Sequence, residues 1–209
     1  MSTTEIISNI VTLLASGLGA GMFLILEEMY EILKAKKIYA WQLQACSPMG
    51  NVLKSDFSTE IDFGKVIQFV ENHMWTTKFA LGIADNIGYY AESEGWLRGN
   101  LNGEAVFRGR RAGLSSIGID SIGNVRGCES MYEDSFIEGN LREKSLSEIW
   151  YDPNAFIYNR QFTVEQLSGT CRKCEYGSQC AGGCRSYNYF THGKLYESLY
   201  CVCKNRRNY

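Results

Sequence analysis

The sequence predicts an α+β chain in which a short (β/α) segment precedes a small cysteine-rich module with a β-hairpin and short helices. Three observations predict it. Strand-like and helix-like runs alternate over roughly the first ninety residues, the pattern of βαβ units on a parallel sheet. From about residue 95 the texture changes to Gly, Asn and Arg between short runs, which reads as loops. Four of the eight cysteines then fall between residues 171 and 184, as expected of a module that needs cross-links because its core is small. The boundary is placed within about residues 76 to 95, giving two parts, 1–80 and 81–209.

The elements follow in order. "NIVTLLAS" reads as a buried strand, and the glycine-rich Gly17–Gly21 as a turn. In "LEEMYEILKAKK", residues 26–37, Leu26, Met29, Tyr30 and Leu33 share one helical face. Glu27 and Glu28 in its first turn and Lys34, Lys36 and Lys37 in its last suit the helix dipole. "IYAWQLQA" alternates as a strand does, and "CSPMGN" supplies a turn. "IDFGKVIQFVENHM" is a second amphipathic helix, and "KFALGIADNIGYY" a strand with its turn. Further on, "SSIGID" and "NVRGCES" flank the turn "SIGN", a hairpin signature. Ser145, with Glu148 three residues later, reads as a capping box opening a helix. The remainder reads as cysteine-punctuated loop with little core of its own.

Bulk properties exclude several classes. With 45% apolar and 21% charged residues the chain can bury a core and is not disordered. Net charge is −2 and no basic run stands out beyond the tail "CKNRRNY", so no nucleic-acid partner is expected. Ile6 to Leu26 carries no charge and is long enough to span a bilayer. It is also interrupted by Ser8, Asn9, Thr12, Ser16 and the glycine cluster, so a soluble strand–turn–helix is favoured over a membrane anchor. No basic segment precedes it and no cleavage site closes it, which argues against a secretory signal and for a cytoplasmic location.

In that compartment cysteines are read as metal ligands before disulfides. The run Cys171-x2-Cys174-x5-Cys180-x3-Cys184 starts with a knuckle whose tight turn aims two sulfurs at one ion. Gly177, Gly182 and Gly183 let the chain bend near the ligands and bare N–H groups toward inorganic sulfide. The remote Cys128, Cys201 and Cys203 are available to complete one or two sites. Zinc usually takes two Cys-x2-Cys pairs; here there is one, and neither His73 nor His192 has zinc-finger spacing. Residue types rank iron–sulfur above zinc, and both above disulfides.

The stretch from about Ile117 to Cys201 resembles the SPASM domain, a C-terminal extension of many radical S-adenosylmethionine (SAM) enzymes. Gly123-x4-Cys128, the four-cysteine run with its "AGGCR" ending, the connector "EGNLREKSLSEIW" and Cys201 match that family's pattern in order and spacing. The resemblance implies auxiliary [4Fe–4S] clusters with interleaved ligands. One would use Cys171, Cys174, Cys180 and Cys201, and Cys128 and Cys184 would contribute to a second. It also implies that 1–80 is the C-terminal remnant of a partial (β/α)6 barrel and 81–209 the SPASM module.

Two departures stand out. The family's opening cysteine belongs near "RRAG", where this chain has Arg110 and Arg111, and arginine offers no lone pair to a metal. The second cluster is therefore expected to be incomplete or labile, with Cys203 as the available substitute. The family's Cys-x3-Cys-x2-Cys motif, which binds the SAM-cleaving cluster, does not occur in the sequence, and Cys46 stands alone.

The expected function is thus an iron–sulfur-binding SPASM module of a radical SAM peptide- or protein-modifying enzyme, without independent SAM cleavage. The implied partners are a peptide or protein substrate and a chain supplying the rest of the barrel. The alternatives are a zinc-binding or metal-free interaction module, or one half of a split enzyme. Other residues take plainer readings: Asp85 and Asp120 as turn formers, His73 as a helix-end cation, Gln42 and Gln44 as hydrogen-bonding residues on one strand face, and Tyr176, Tyr187, Tyr189 and Tyr200 as packing around a metal site.

Overall fold

The computed structural model describes residues 10–15, 21–45, 47, 63–88, 91, 93–98, 107–199 and 201. They fall in two compact units, 1–107 with 199–209, and 108–198.

The first unit follows the expected alternation: β1 (Ile10–Ala15), α1 (Gly21–Lys36), β2 (Ala40–Ala45), α2 (Phe63–His73) and β3 (Ala80–Ile83). The strands form a parallel sheet in the order β1-β2-β3, with Ile10 beside Ala40 and Ala40 beside Ala80. Within the uncharged stretch Ile6–Leu26, the described parts are β1 and the start of α1. Among the described residues no helix is long and apolar enough to cross a membrane.

α1 begins at Gly21, earlier than its apolar face suggested, so Glu27 and Glu28 lie beyond the first turn and do not meet the N-terminal dipole. Lys34 and Lys36 do occupy the last turn, and Lys37, at φ 55°, ends the helix in the left-handed conformation. Leu26, Tyr30 and Leu33 are buried. So are Phe63, Val66, Ile67, Phe69 and Val70 of α2.

The faces of the sheet differ. Trp41, Leu43 and Ala45 are buried, and Trp41 meets Phe69 of α2 edge-on with ring centroids 5.7 Å apart. Gln42 and Gln44 lie on the opposite, more open face, as period-2 alternation requires. His73 joins two helices instead of merely capping one: Nε2 is 2.9 Å from a Glu27 carboxylate oxygen, and its ring is 4.1 Å from that of Tyr30.

The turn after β3 is held by side chains. Asn86 donates to the Ala45 carbonyl at 2.6 Å and accepts from its N–H at 3.2 Å, which closes the C-terminal end of β2. A short helix, α3 (Glu94–Leu97), stands where loop was expected. Its Glu94 forms a buried ion pair with Arg98 at 2.9 Å, and Arg98 also donates to the carbonyls of Ala84 and Ile87. The pair closes one helical turn (i, i+4) and fastens it to the end of β3.

The second unit opens with the expected hairpin, β4 (Gly118–Ile119) and β5 (Asn124–Arg126), antiparallel with Ile119 opposite Val125. β6 (Gly139–Asn140) adds a third strand. Asp120 does form the turn, as expected. Its carboxylate accepts from the N–H of Ile122 and Asn124 and from the Arg126 guanidinium at 2.8 Å.

The Arg126 guanidinium above all, helped by the Asn124 and Ile122 donors, holds the Asp120 carboxyl at about 2. A carboxyl depressed in the folded state stabilises it above the unfolded pKa near 4 and ceases to do so as pH falls through 2. We expect Asp120→Asn to lower the thermal midpoint at pH 6 by clearly more than at pH 2, where the folded-state carboxyl is half protonated. Parallel melting curves at both pH values would check this, and a gap undiminished at pH 2 would contradict it.

Ser145 caps α4 (Leu146–Tyr151) in the expected box, accepting from Glu148 N–H at 3.2 Å while Glu148 accepts from Ser145 N–H at 2.8 Å. Such a cap is worth about 1 kcal/mol. The rest is not mere loop. Val125, Ile149, Ala155 and Phe156 form a buried cluster with Ile117 and Trp150 against it. Phe156 packs where a Cβ on Gly113 would lie 2.3 Å from its own Cβ, so only glycine fits there. Two more helices follow a helical turn at α5 (Ile157–Arg160): α6 (Gly177–Cys180) and α7 (Arg185–His192).

Candidate metal centre

The knuckle is built from successive tight turns. Cys171 sits in a 3-10 turn over Gly169–Lys173. Cys174 N–H donates to the Cys171 carbonyl at 3.1 Å, and Gly177 N–H to the Cys174 carbonyl at 3.0 Å. α6, which ends in Cys180, starts against this turn: a Cβ on Gly177 would lie 3.3 Å from the Cys171 carbonyl and 2.8 Å from the buried Leu167 side chain. Ala181, Gly182 and Gly183 all take left-handed φ values of 52°, 80° and 86°, reversing the chain within three residues. Gly182 has the Tyr196 backbone against it, 2.6 Å from where a Cβ would be. Cys184 then caps α7, its carbonyl accepting from Asn188 N–H at 3.0 Å.

Cys171, Cys180, Cys184 and Cys201 are buried, and Cys128 and Cys174 partly so. Among the described residues no disulfide joins two of these six, and no three His, Cys, Asp or Glu side chains are grouped at metal-ligating distance. Cys203 and Cys46 lie outside the described residues.

The second unit does carry three cysteines, Cys171, Cys174 and Cys180, within ten residues, with a backbone donor on one sulfur. Ser198 N–H lies 3.3 Å from Cys171 Sγ, the kind of hydrogen bond that tunes an iron–sulfur ligand. That amide is held in place by its neighbour. Glu197, buried, accepts from Lys194 Nζ at 2.7 Å and Ser168 Oγ at 3.0 Å, and the His192 ring is 2.9 Å from its carbonyl. The Lys194 ammonium chiefly keeps the Glu197 carboxyl below the usual range.

The other two predicted ligands have different company. Arg110 Nη2 lies 3.3 Å from Cys128 Sγ, and Cys184 Sγ lies 3.3 Å from Ser186 Oγ. Tyr158 packs beside Cys128, its hydroxyl 2.2 Å from where a Cβ on Gly127 would be, and burial pushes that phenol's pKa well up. Of the tyrosines, Tyr187 is buried and Tyr189 donates to Glu133 at 2.8 Å. Packing therefore accounts for both; Tyr200 lies outside the described residues.

Sequence reasoning missed the partners. It noted Arg110 only as a missing ligand, and it passed over Arg185, which is 2% exposed and donates to Asn159 and to the carbonyls of Ala181 and Leu195. The "AGGCR" ending held that signal, but only the fold supplies the acceptors.

Residues 111–175 match the SPASM family model, an iron–sulfur cluster-binding domain, and the chain is related to the C-terminal SPASM part of radical SAM proteins. It is 28% identical over 182 residues to the AdoMet-dependent heme synthase of Methanosarcina barkeri, covering 83% of this chain and 50% of that protein. It is 32% identical over 106 residues to the mycofactocin maturase MftC of Mycobacterium ulcerans, covering 44% and 28% respectively.

The chain thus spans half the length of the first relative and under a third of the second. Streptococcus suis SuiB bound to S-adenosylmethionine shares the fold, with a TM-score of 0.62 at 16% identity over 92% of this chain and 44% of that one. SuiB bound to the precursor peptide SuiA aligns with a TM-score of 0.60 at 15% identity, over the same shares.

Proposed function

We propose that Cys171, Cys174, Cys180 and Cys201 hold one [4Fe–4S] cluster, and that the chain is the auxiliary part of a radical SAM system that modifies a peptide or protein. The observation that supports the first half is the knuckle, where successive tight turns carry Cys171 and Cys174, Cys180 follows within ten residues, and a fixed amide faces the Cys171 sulfur. The cluster when bound supplies a one-electron centre or a Lewis-acidic iron. The protein's own part is to bury the sulfurs, set the Ser198 donor and hold the turn.

The second half is supported by the maturase relative and by the fold shared with SuiB, whose structure with SuiA holds a precursor peptide. In this reading 1–80 belongs to the barrel, 81–209 to the module, and the protein works in the reducing cytoplasm where thiolates persist. The 209 residues hold no Cys-x3-Cys-x2-Cys run, so they do not cleave SAM by themselves. Among the described strands β1 and β3 are the edges of the sheet, and such edges suit pairing with the rest of a barrel, on the same or a separate polypeptide.

Oxygen-free purification followed by iron, sulfide and zinc analysis tests the cluster, with about four iron and four sulfide per chain expected. Stoichiometric zinc without colour would replace this reading with that of a zinc module. Formation of 5′-deoxyadenosine by the chain alone would overturn the claim that it needs another radical-generating site.

A further inference from the structure

The second ligand set does not fit a cluster. Cys128 and Cys184 are its two expected thiolates among the described residues, and each sulfur has a polar neighbour, Arg110 at 3.3 Å and Ser186 at 3.3 Å. A guanidinium is cationic and offers no lone pair, so Arg110 cannot serve as the iron ligand that this set lacks. The Tyr158 ring, next to this segment of chain, packs edge-on against Phe136 with centroids 5.8 Å apart. Its hydroxyl, buried without a hydrogen-bond partner, presses against Gly127.

We propose that the Arg110–Cys128 pair replaces a second cluster, so that this module carries one cluster and ties its N-terminal segment to the hairpin with side chains. The proposal rests on the one-cluster reading above only for its iron count. In a two-cluster module the metal would join the segment before the hairpin to Cys128. Here Arg110 makes that connection directly. Two further bonds hold the same segment: Asn159 donates to the Ala112 carbonyl at 2.8 Å, and Arg160 donates to the Gly113 carbonyl at 2.8 Å. The arginine that breaks the family's cysteine pattern is in this view a working substitute.

Two measurements test it. In the reconstituted chain, the wild type and Cys128→Ala should both hold about four iron atoms. Eight in the wild type, falling to about four in Cys128→Ala, would overturn the proposal. In the metal-free chain, Arg110→Ala and Cys128→Ala should each lower the thermal midpoint by about 3 °C, and the double variant by no more than the larger single effect. Additive shifts would overturn the pairing. A wild type that holds no iron would fail the cluster reading alone, since the metal-free cycle still decides the pair. Should Arg110→Ala not fold, the iron count of Cys128→Ala decides instead.

Discussion

Cys174→Ala is expected to leave the chain folded but nearly iron-free, falling from about four iron atoms to below one and losing its visible absorption. The backbone argument separates fold from ligand. Cys174 contributes its N–H to the Cys171 carbonyl and its carbonyl to Gly177, and alanine keeps both. What disappears is one of the four proposed thiolates, at a partly exposed corner where solvent and chelators reach the iron left without its ligand.

The stability readout should follow. Binding to the folded chain alone raises the wild-type midpoint on reconstitution, and the variant's midpoint should not move. Cys128→Ala is the control, since it removes a thiol outside the proposed ligand set. Full iron retention in Cys174→Ala would mean that the knuckle is not the site.

Why the sequence revealed some of this and not the rest is physical. The βαβ segment was legible because its periodicities are clean: Trp41, Leu43 and Ala45 alternate, and Val66, Ile67, Phe69 and Val70 recur at helical spacing. The start of α1 was not, because a glycine run argues for a turn, whereas the helix begins at Gly21. The hairpin announced itself through Asp120 and its turn, but β6 is two residues long and carries no pattern.

α7 was hidden for another reason. Its inward face includes Arg185, Ser186 and Asn188, all buried, so a core-facing helix reads as a polar loop. The cysteine spacing was local and therefore visible. The Arg110–Cys128 and Ser198–Cys171 contacts join residues 18 and 27 positions apart, and no local rule finds them.

Arg185→Met should destabilise the second unit by about 3 kcal/mol, which for a chain of this size lowers its midpoint by about 10 °C. Arg185 donates Nε to Asn159 at 3.1 Å and Nη1 to the Ala181 carbonyl and, at 3.3 Å, to that of Leu195. Its guanidinium lies 4.5 Å from the Tyr196 ring centroid and 5.2 Å from that of Phe162. Methionine keeps the apolar contact and removes every donor, leaving acceptors that cost about 1–3 kcal/mol each when buried unpaired.

The sum is not the full loss, because taking away a buried charge also relieves its desolvation. That offset is why about 3 kcal/mol is expected rather than twice as much. Lysine keeps the charge but not the planar fork, so Arg185→Lys should fall between the two. The same bonds clamp the left-handed turn at Ala181 that separates Cys180 from Cys184. The methionine variant should therefore also lose iron faster to a chelator. Thermal melts and chelation rates on the three chains measure both effects, and a methionine variant that melts with the wild type would show that Arg185 does not hold the knuckle.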